Sequence, residues 1–196
     1  MVVSALLPIL ALGLLAASLL VLGRRKPQYS HVIHTISELG EVGAPDQKLV
    51  AWAVFLPIGL LLLPISYLYL RSFPPAASLA GCISVGYLVA AFFPCDSGAP
   101  VSGSTRQGIH NLGGAVEYIG GGFSLLSAAE RLGDEWKWLG FIVLGVAVAL
   151  TVLPTVSVRG LVQRVGEVCL FGGLAYLVWL AAGGDFEELK MALCAM

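Results

Sequence analysis

Residues 49–70 read LVAWAVFLPIGLLLLPISYLYL, an apolar stretch without a charged side chain. About 30 Å of hydrocarbon requires roughly 20 residues of helix, and backbone N–H and C=O groups in lipid must be paired within their own segment. The stretch therefore reads as a membrane-spanning helix. Similar stretches lie at residues 2–23, 76–94, 109–129, 138–158 and 160–182. The expected fold is all-α, a polytopic membrane bundle of six transmembrane helices forming a single domain over residues 1–196. Composition agrees: with 58% hydrophobic and 12% charged residues and a mean hydropathy of +0.89, a soluble domain of this size would lack polar surface.

The first stretch has small residues at Ala16, Ala17 and Ser18, as a secretory signal would. Its apolar run is too long and no positive residue precedes it, so a retained span is expected. Cys82, Cys95, Cys169 and Cys194 show neither zinc nor redox spacing, and no disulfide is expected. The net charge of −1 argues against a nucleic-acid partner. Pro57 and Pro64 each remove a backbone donor and are expected to bend the second span. No repeat relates the two halves of the chain.

Six crossings sort the polar residues. Both termini, the turn 71–75 and the connection 130–137 share one face; the long connection 24–48, the connection 95–108 and the turn 154–159 share the other. Arg24, Arg25, Lys26, Lys48, Arg106, Arg159 and Arg164 belong to the long-loop side, against Arg71, Arg131, Lys137 and Lys190. That bias assigns the long-loop face to the cytoplasm.

Nearly every side chain suited to chemistry gathers on that face. Residues 30–40, SHVIHTISELG, read as a short interfacial helix stopped by Gly40, with His31, His34 and Glu38 on one side and Val32, Ile33, Ile36 and Leu39 on the other. The alternative is that Thr35 and Glu38 form a capping box and the histidines are merely solvated. Asp96 sits where the third span meets the headgroups, as a site acid or as the start of a turn with Ser97 and Gly98. In the fourth span His110, Gly114, Glu117 and Gly121 form one stripe, which places Glu117 about 10 Å deeper than His110. Gly113, Gly114, Gly120, Gly121 and Gly122 keep that helix thin for close packing or for a ligand. Arg164 and Glu167 lie one turn apart in the last span, and an intramembrane cluster of Glu117, Arg164 and Glu167 is expected, with the guanidinium paired to a carboxylate.

Four uses suit these residues. His31, His34, His110 and Asp96 would make a tetrahedral zinc site that activates water against an ester or phosphoester near the headgroups. Without metal, His34 or His110 acts as general base, oriented by Glu38 or Asp96, with Ser37 as nucleophile. A path from His110 to Glu117 and Glu167 would relay protons or hold a small cation. A non-enzymatic role in assembly would use the glycine faces, toward a protein partner or a second copy, and the acidic tail Asp185, Glu187 and Glu188. Membrane lipids are the expected surroundings in every case.

His34-Thr35-Ile36-Ser37-Glu38-Leu39-Gly40, then Phe93-Pro94-Cys95-Asp96, then His110-Asn111, together with Gly160-Leu161-Val162-Gln163-Arg164, resemble the six-helix membrane family catalogued as domain of unknown function 998. The resemblance spans nearly the whole chain. It implies the six-span architecture, a prokaryotic cell membrane, and signature positions at Ser37, Glu38, Asp96 and His110. It supplies no activity. His31 lies outside the motif, which leaves Glu38, Asp96, His110 and His34 as the polar group.

Overall fold

The computed structural model describes residues 2–153 and 157–184, and no strand occurs among them. Helix α1 spans Val2–Arg25. Helix α2 starts at Gln47–Val50, widens into a π segment at Ala51–Phe55 and continues as Leu56–Leu68. Pro74–Phe92 forms α3. Helix α4 comprises Thr105–Ala115, a π segment at Val116–Gly120, and Gly121–Leu132. Glu135–Val152 forms α5 and Arg159–Ala181 forms α6. By length and composition five segments among the described residues can cross a membrane: Leu6–Arg25, Gln47–Leu68, Pro74–Phe92, Glu135–Val152 and Arg159–Ala181. Helix α4 differs: its first turns carry Arg106, Gln107, His110 and Asn111, and Glu117 and several glycines lower the hydropathy of the rest.

Local chemistry accounts for the irregularities. The ring of Pro57 excludes the carbonyl four residues earlier, and the π segment of α2 lies there, widening the turn that must absorb the lost bond. Helix α4 begins at Ser104, whose Oγ accepts the backbone N–H of Gln107 at 3.2 Å. Helix α5 ends earlier than the expected 138–158 because Leu153, the residue before a proline, is extended at ψ 138°.

Helix α3 is central, packed against α2, α4 and α6, while α1 lies against α2 and α6. Ile58, Leu62 and Ile65 of α2, Leu79 and Ile83 of α3, Leu125 of α4 and Leu170, Phe171 and Leu174 of α6 fill the interior. Leu60, Leu63, Phe123, Val148 and Val168 point outward, as a lipid-facing surface requires. Between helices in lipid, association rests on van der Waals packing, which favours small residues at contacts. Four glycines of α4 serve this end: Gly113 abuts Val89, Gly120 abuts Cys82, Gly121 abuts Leu170 and Gly122 abuts Leu144, whereas Gly114 has open space around it and lines a cavity.

The helix expected over residues 30–40 is corrected. Those residues form turns and one 3-10 turn, Ser37–Gly40. Gly40 does not adopt positive φ; a Cβ there would lie 2.9 Å from Val50 Cγ1, so packing is what requires glycine. Nor do the two faces separate as expected, since Glu38 is buried with Ile36 and Leu39 while Val32 and Ile33 are exposed. Tertiary contacts outweigh the weak local helical pattern. The carbonyls of Ile33 and Val32 accept the N–H groups of Gly160 and Leu161 at 3.1 and 2.9 Å, satisfying donors that the start of α6 would otherwise leave open.

Candidate functional site

The connections 24–48 and 95–108 meet on one side of the bundle. Lys26 Nζ pairs with Glu41 Oε1 at 2.7 Å, and Glu41 Oε2 accepts the Gly98 N–H at 2.7 Å. Val42 N–H donates to the Cys95 carbonyl at 2.9 Å, and Cys95 Sγ donates to the Ser37 carbonyl at 3.3 Å. Burial, with smaller effects from Glu41 and Glu38, pushes the Cys95 thiol up to about 12, so it stays protonated and keeps its proton to donate.

This junction joins Ser37 to His110. Ser37 Oγ lies 3.1 Å from His110 Nε2, and His110 Nδ1 lies 2.9 Å from the Phe93 carbonyl oxygen. A carbonyl only accepts, so Nδ1 carries the ring proton. In the neutral imidazole Nε2 is then the acceptor and the Ser37 hydroxyl the donor. A hydroxyl, an imidazole and an acceptor that orients the ring stand in the order that general-base activation would need. The orienting group is a backbone oxygen, which corrects the expected Glu38 or Asp96.

Asp96 has another task. Its Oδ2 accepts the Ser104 N–H at 2.8 Å, and its Oδ1 accepts the Ser104 hydroxyl at 2.8 Å and Arg106 Nη2 at 2.7 Å. These bonds close the 96–104 loop and start α4. The Ser104 N–H first, then the Ser104 hydroxyl and Arg106, hold the Asp96 carboxyl below its ordinary value. A carboxylate depressed by folding stabilises above the unfolded value of about 3.9, and that stabilisation is lost as pH falls through the lower folded value. The melting temperature of Asp96→Asn should therefore trail that of the unmodified protein by a constant margin from pH 7 to about 5, and the margin should shrink below about pH 4. A margin unchanged down to about pH 2 would show that the carboxylate charge is not its source.

Glu38 Oε1 accepts both the N–H and the hydroxyl of Thr35, at 2.8 and 3.0 Å, which realises the acid's half of the capping-box alternative. His34 Nδ1 accepts the Ser30 N–H at 2.9 Å and its ring stacks on Tyr29. His31 Nδ1 accepts from Arg164 Nη2 at 3.1 Å. Burial first, and the nearby guanidinium second, lower the His31 pKa. The zinc set His31, His34, His110 and Asp96 is therefore not assembled: among the described residues no three His, Cys, Asp or Glu side chains converge, and both His110 nitrogens are already engaged.

The expected pairing of Arg164 with Glu117 or Glu167 is also corrected. Arg164 Nη1 donates to the carbonyls of His34 and Gly160, at 3.1 and 2.8 Å, and Nη2 donates to Tyr29 Oη at 2.7 Å. Tyr29 in turn donates to the Thr35 carbonyl at 3.0 Å. Burial, partly offset by Arg164, raises the Tyr29 pKa to about 12, which keeps that donor protonated. Arg164 thus clamps the 29–35 loop. Glu167 accepts instead from Tyr87 at 2.9 Å and from Tyr118. The acidic tail Asp185, Glu187 and Glu188 lies outside the described residues.

Two cavities adjoin Ser37. The larger, about 460 Å³, lies between α4 and α5 and is bounded by Ser37, His110, Arg159 and Gln163 toward the loops and by Leu112, Ala115, Ile119, Ala147 and Leu150 along the helices. The smaller, about 20 Å³, is lined by Ser37, Gln163, Glu117, Tyr87 and Glu167. Glu117 Oε1 has no hydrogen-bond partner among the described residues, and its carboxyl lies against Gly86.

The sequence reading missed Arg159, Gln163, Tyr87 and Tyr118 as site residues. A signal was present, since Arg159, Gln163 and Glu167 recur at i, i+4 and i+8 on one face of α6, and all three are buried. Gln163 Oε1 accepts the Ile36 N–H at 2.7 Å, which fixes the residue beside Ser37. Comparison with curated proteins and with solved structures yields no match. Residues 9–183, which take in most of α1, the other long helices and the motif-bearing loops described above, match the family described as Protein of unknown function (DUF998), and the chain belongs to that family.

Proposed function

We propose that this protein is a six-span membrane enzyme that cleaves or transfers an ester of a membrane amphiphile, using Ser37 as nucleophile and His110 as general base. Helix α4, continuous through its π segment, supplies the sixth crossing, and the bias of Lys and Arg toward the long loops assigns the site to the cytoplasmic face. The carrying observation is the bond from Ser37 Oγ to His110 Nε2, with Nδ1 held by Phe93, at the head of an apolar cavity.

Ser37 Oγ attacks the ester carbonyl carbon while its proton passes to His110 Nε2. The carbon–oxygen bond breaks, and the leaving alcohol takes that proton. Water or an acceptor alcohol then attacks the acyl-Ser37 ester and restores the hydroxyl. The π segment beside the cavity fits this reading, because such bulges collect at functional sites. The cavity matches the range of about 300–1,000 Å³ usual for small-molecule sites.

The test is covalent labelling of detergent-solubilised protein with a long-chain alkyl fluorophosphonate. The expected result is one adduct on Ser37, absent in Ser37→Ala and slowed at least about a hundredfold in His110→Asn, the usual scale of general-base assistance. Protein that stays folded, shown by an unchanged melting curve, yet never labels would sink the catalytic reading.

A further inference from the structure

Arg159 is only 6% exposed, deep enough that its charge demands compensation. Its Nη2 donates to the Ala99 carbonyl at 3.1 Å, while Nε and Nη1 are buried without a hydrogen-bond partner among the described residues. Among the described residues it takes part in no ion pair. Arg164, five residues on, spends both terminal nitrogens on the loop, so the two arginines differ in kind. Arg159 faces the large cavity, whose remaining wall is mainly hydrocarbon. Leu112 and Ile119, seven residues apart on α4, both line this cavity and are 65% and 44% exposed, so it opens sideways toward lipid along roughly 10 Å of helix.

We infer that the cavity takes an anionic amphiphile: a phosphate or carboxylate oxyanion that compensates the Arg159 guanidinium, with its hydrocarbon chain along Leu112, Ile119 and Ala147. An oxyanion is the group that a guanidinium with open N–H donors recognises, and it supplies the compensating charge. The chain accounts for the apolar wall and the lateral opening. A neutral headgroup would leave the buried cation unpaired. A free anion would leave the hydrocarbon wall unused. The inference deepens the proposed function by naming its substrate class, and it rests on that reading only for the cavity being the substrate's.

The test is the melting temperature of the full chain in neutral maltoside detergent, titrated with dodecyl phosphate, inorganic phosphate or dodecanol. Dodecyl phosphate should raise it saturably, and the other two should have no saturable effect at the same concentrations. Arg159→Gln should weaken the dodecyl phosphate response at least about tenfold, the scale of one lost charge-assisted contact. Because loss of Arg159 bears on the loop as well, Ala147→Phe gives a second reading: it leaves the guanidinium in place, obstructs the chain and should weaken the same response. An equal response to inorganic phosphate, an equal response to dodecanol, or unchanged affinity in both variants would overturn the inference. Failure of Ser37 to label while the dodecyl phosphate response persists removes only the catalysis. Labelling without that response removes only the anionic headgroup.

Discussion

Gly160→Ala is expected to unseat the 31–40 loop, lower the melting temperature and all but abolish labelling of Ser37. A Cβ at position 160 would lie within van der Waals radii of the His34 carbonyl oxygen, and 2.8 Å from that of His31. These are backbone atoms and cannot rotate away. Overpacking of a close contact costs about 1–3 kcal/mol. Displacing the loop also breaks the bonds from the Gly160 and Leu161 N–H groups to Ile33 and Val32, each worth about 0.5–1.5 kcal/mol net. Ser37 follows the loop, and a misplacement of about 1 Å at a reacting group can cost on the order of a hundredfold in rate. Gly172→Ala is the control: it lies on the same helix with open space around its Cβ, and should be neutral or stabilising by up to about 1 kcal/mol. If Gly160→Ala melts and labels like the unmodified protein, the loop does not dock on α6.

Arg164→Met is expected to destabilise by about 2–4 kcal/mol, less than the sum of its bonds, because bonds to one guanidinium are coupled. The lost partners are the carbonyls of His34 and Gly160, Tyr29 Oη and His31 Nδ1, together with the cation–π contact to the Tyr29 ring at 5.8 Å. Arg164→Lys should recover only part, since an ammonium presents its donors from one point and does not reproduce the planar fork. Amide hydrogen exchange should accelerate across residues 29–40 before it does in α3. A double-mutant cycle then separates the loop clamp from an ion-paired clasp between helices. Arg164→Met and Glu117→Gln share no partner in the structure and should add within about 0.5 kcal/mol. Strong coupling between them would restore the clasp.

How far the chain could be read unaided follows from where each determinant resides. The long helices were legible because apolar length and internal backbone pairing are properties of one segment. The shared side of residues 24–48 and 95–108 was legible from crossing parity, and the bonds joining Glu41 to Gly98 and Val42 to Cys95 agree with it. Ser37 and His110 were both singled out, and the structure brings them together. The histidine–glutamate side of residues 30–40 misled, because a few residues of helical period count for little beside Gly160, Leu161, Gln163 and Arg164 pulling that backbone onto α6. Arg164 and Glu167 misled in another way. Spacing gives a side chain's direction around its own helix but not which neighbour lies there, and Arg164 turns to the loop while Arg159, Gln163 and Glu167 turn inward.

The sequence by itself determined a helical, membrane-type chain whose polar side chains collect toward one end, because hydropathy and backbone pairing act over one helix at a time. Only the tertiary structure decided which polar atoms meet. A hydrogen bond such as that between Ser37 and His110, 73 residues apart, depends on the relative placement of separately folded segments to within an ångström. It likewise decided that Arg159 would be left facing a hydrocarbon cavity without a counter-charge, since that depends on how α4, α5 and α6 diverge around it.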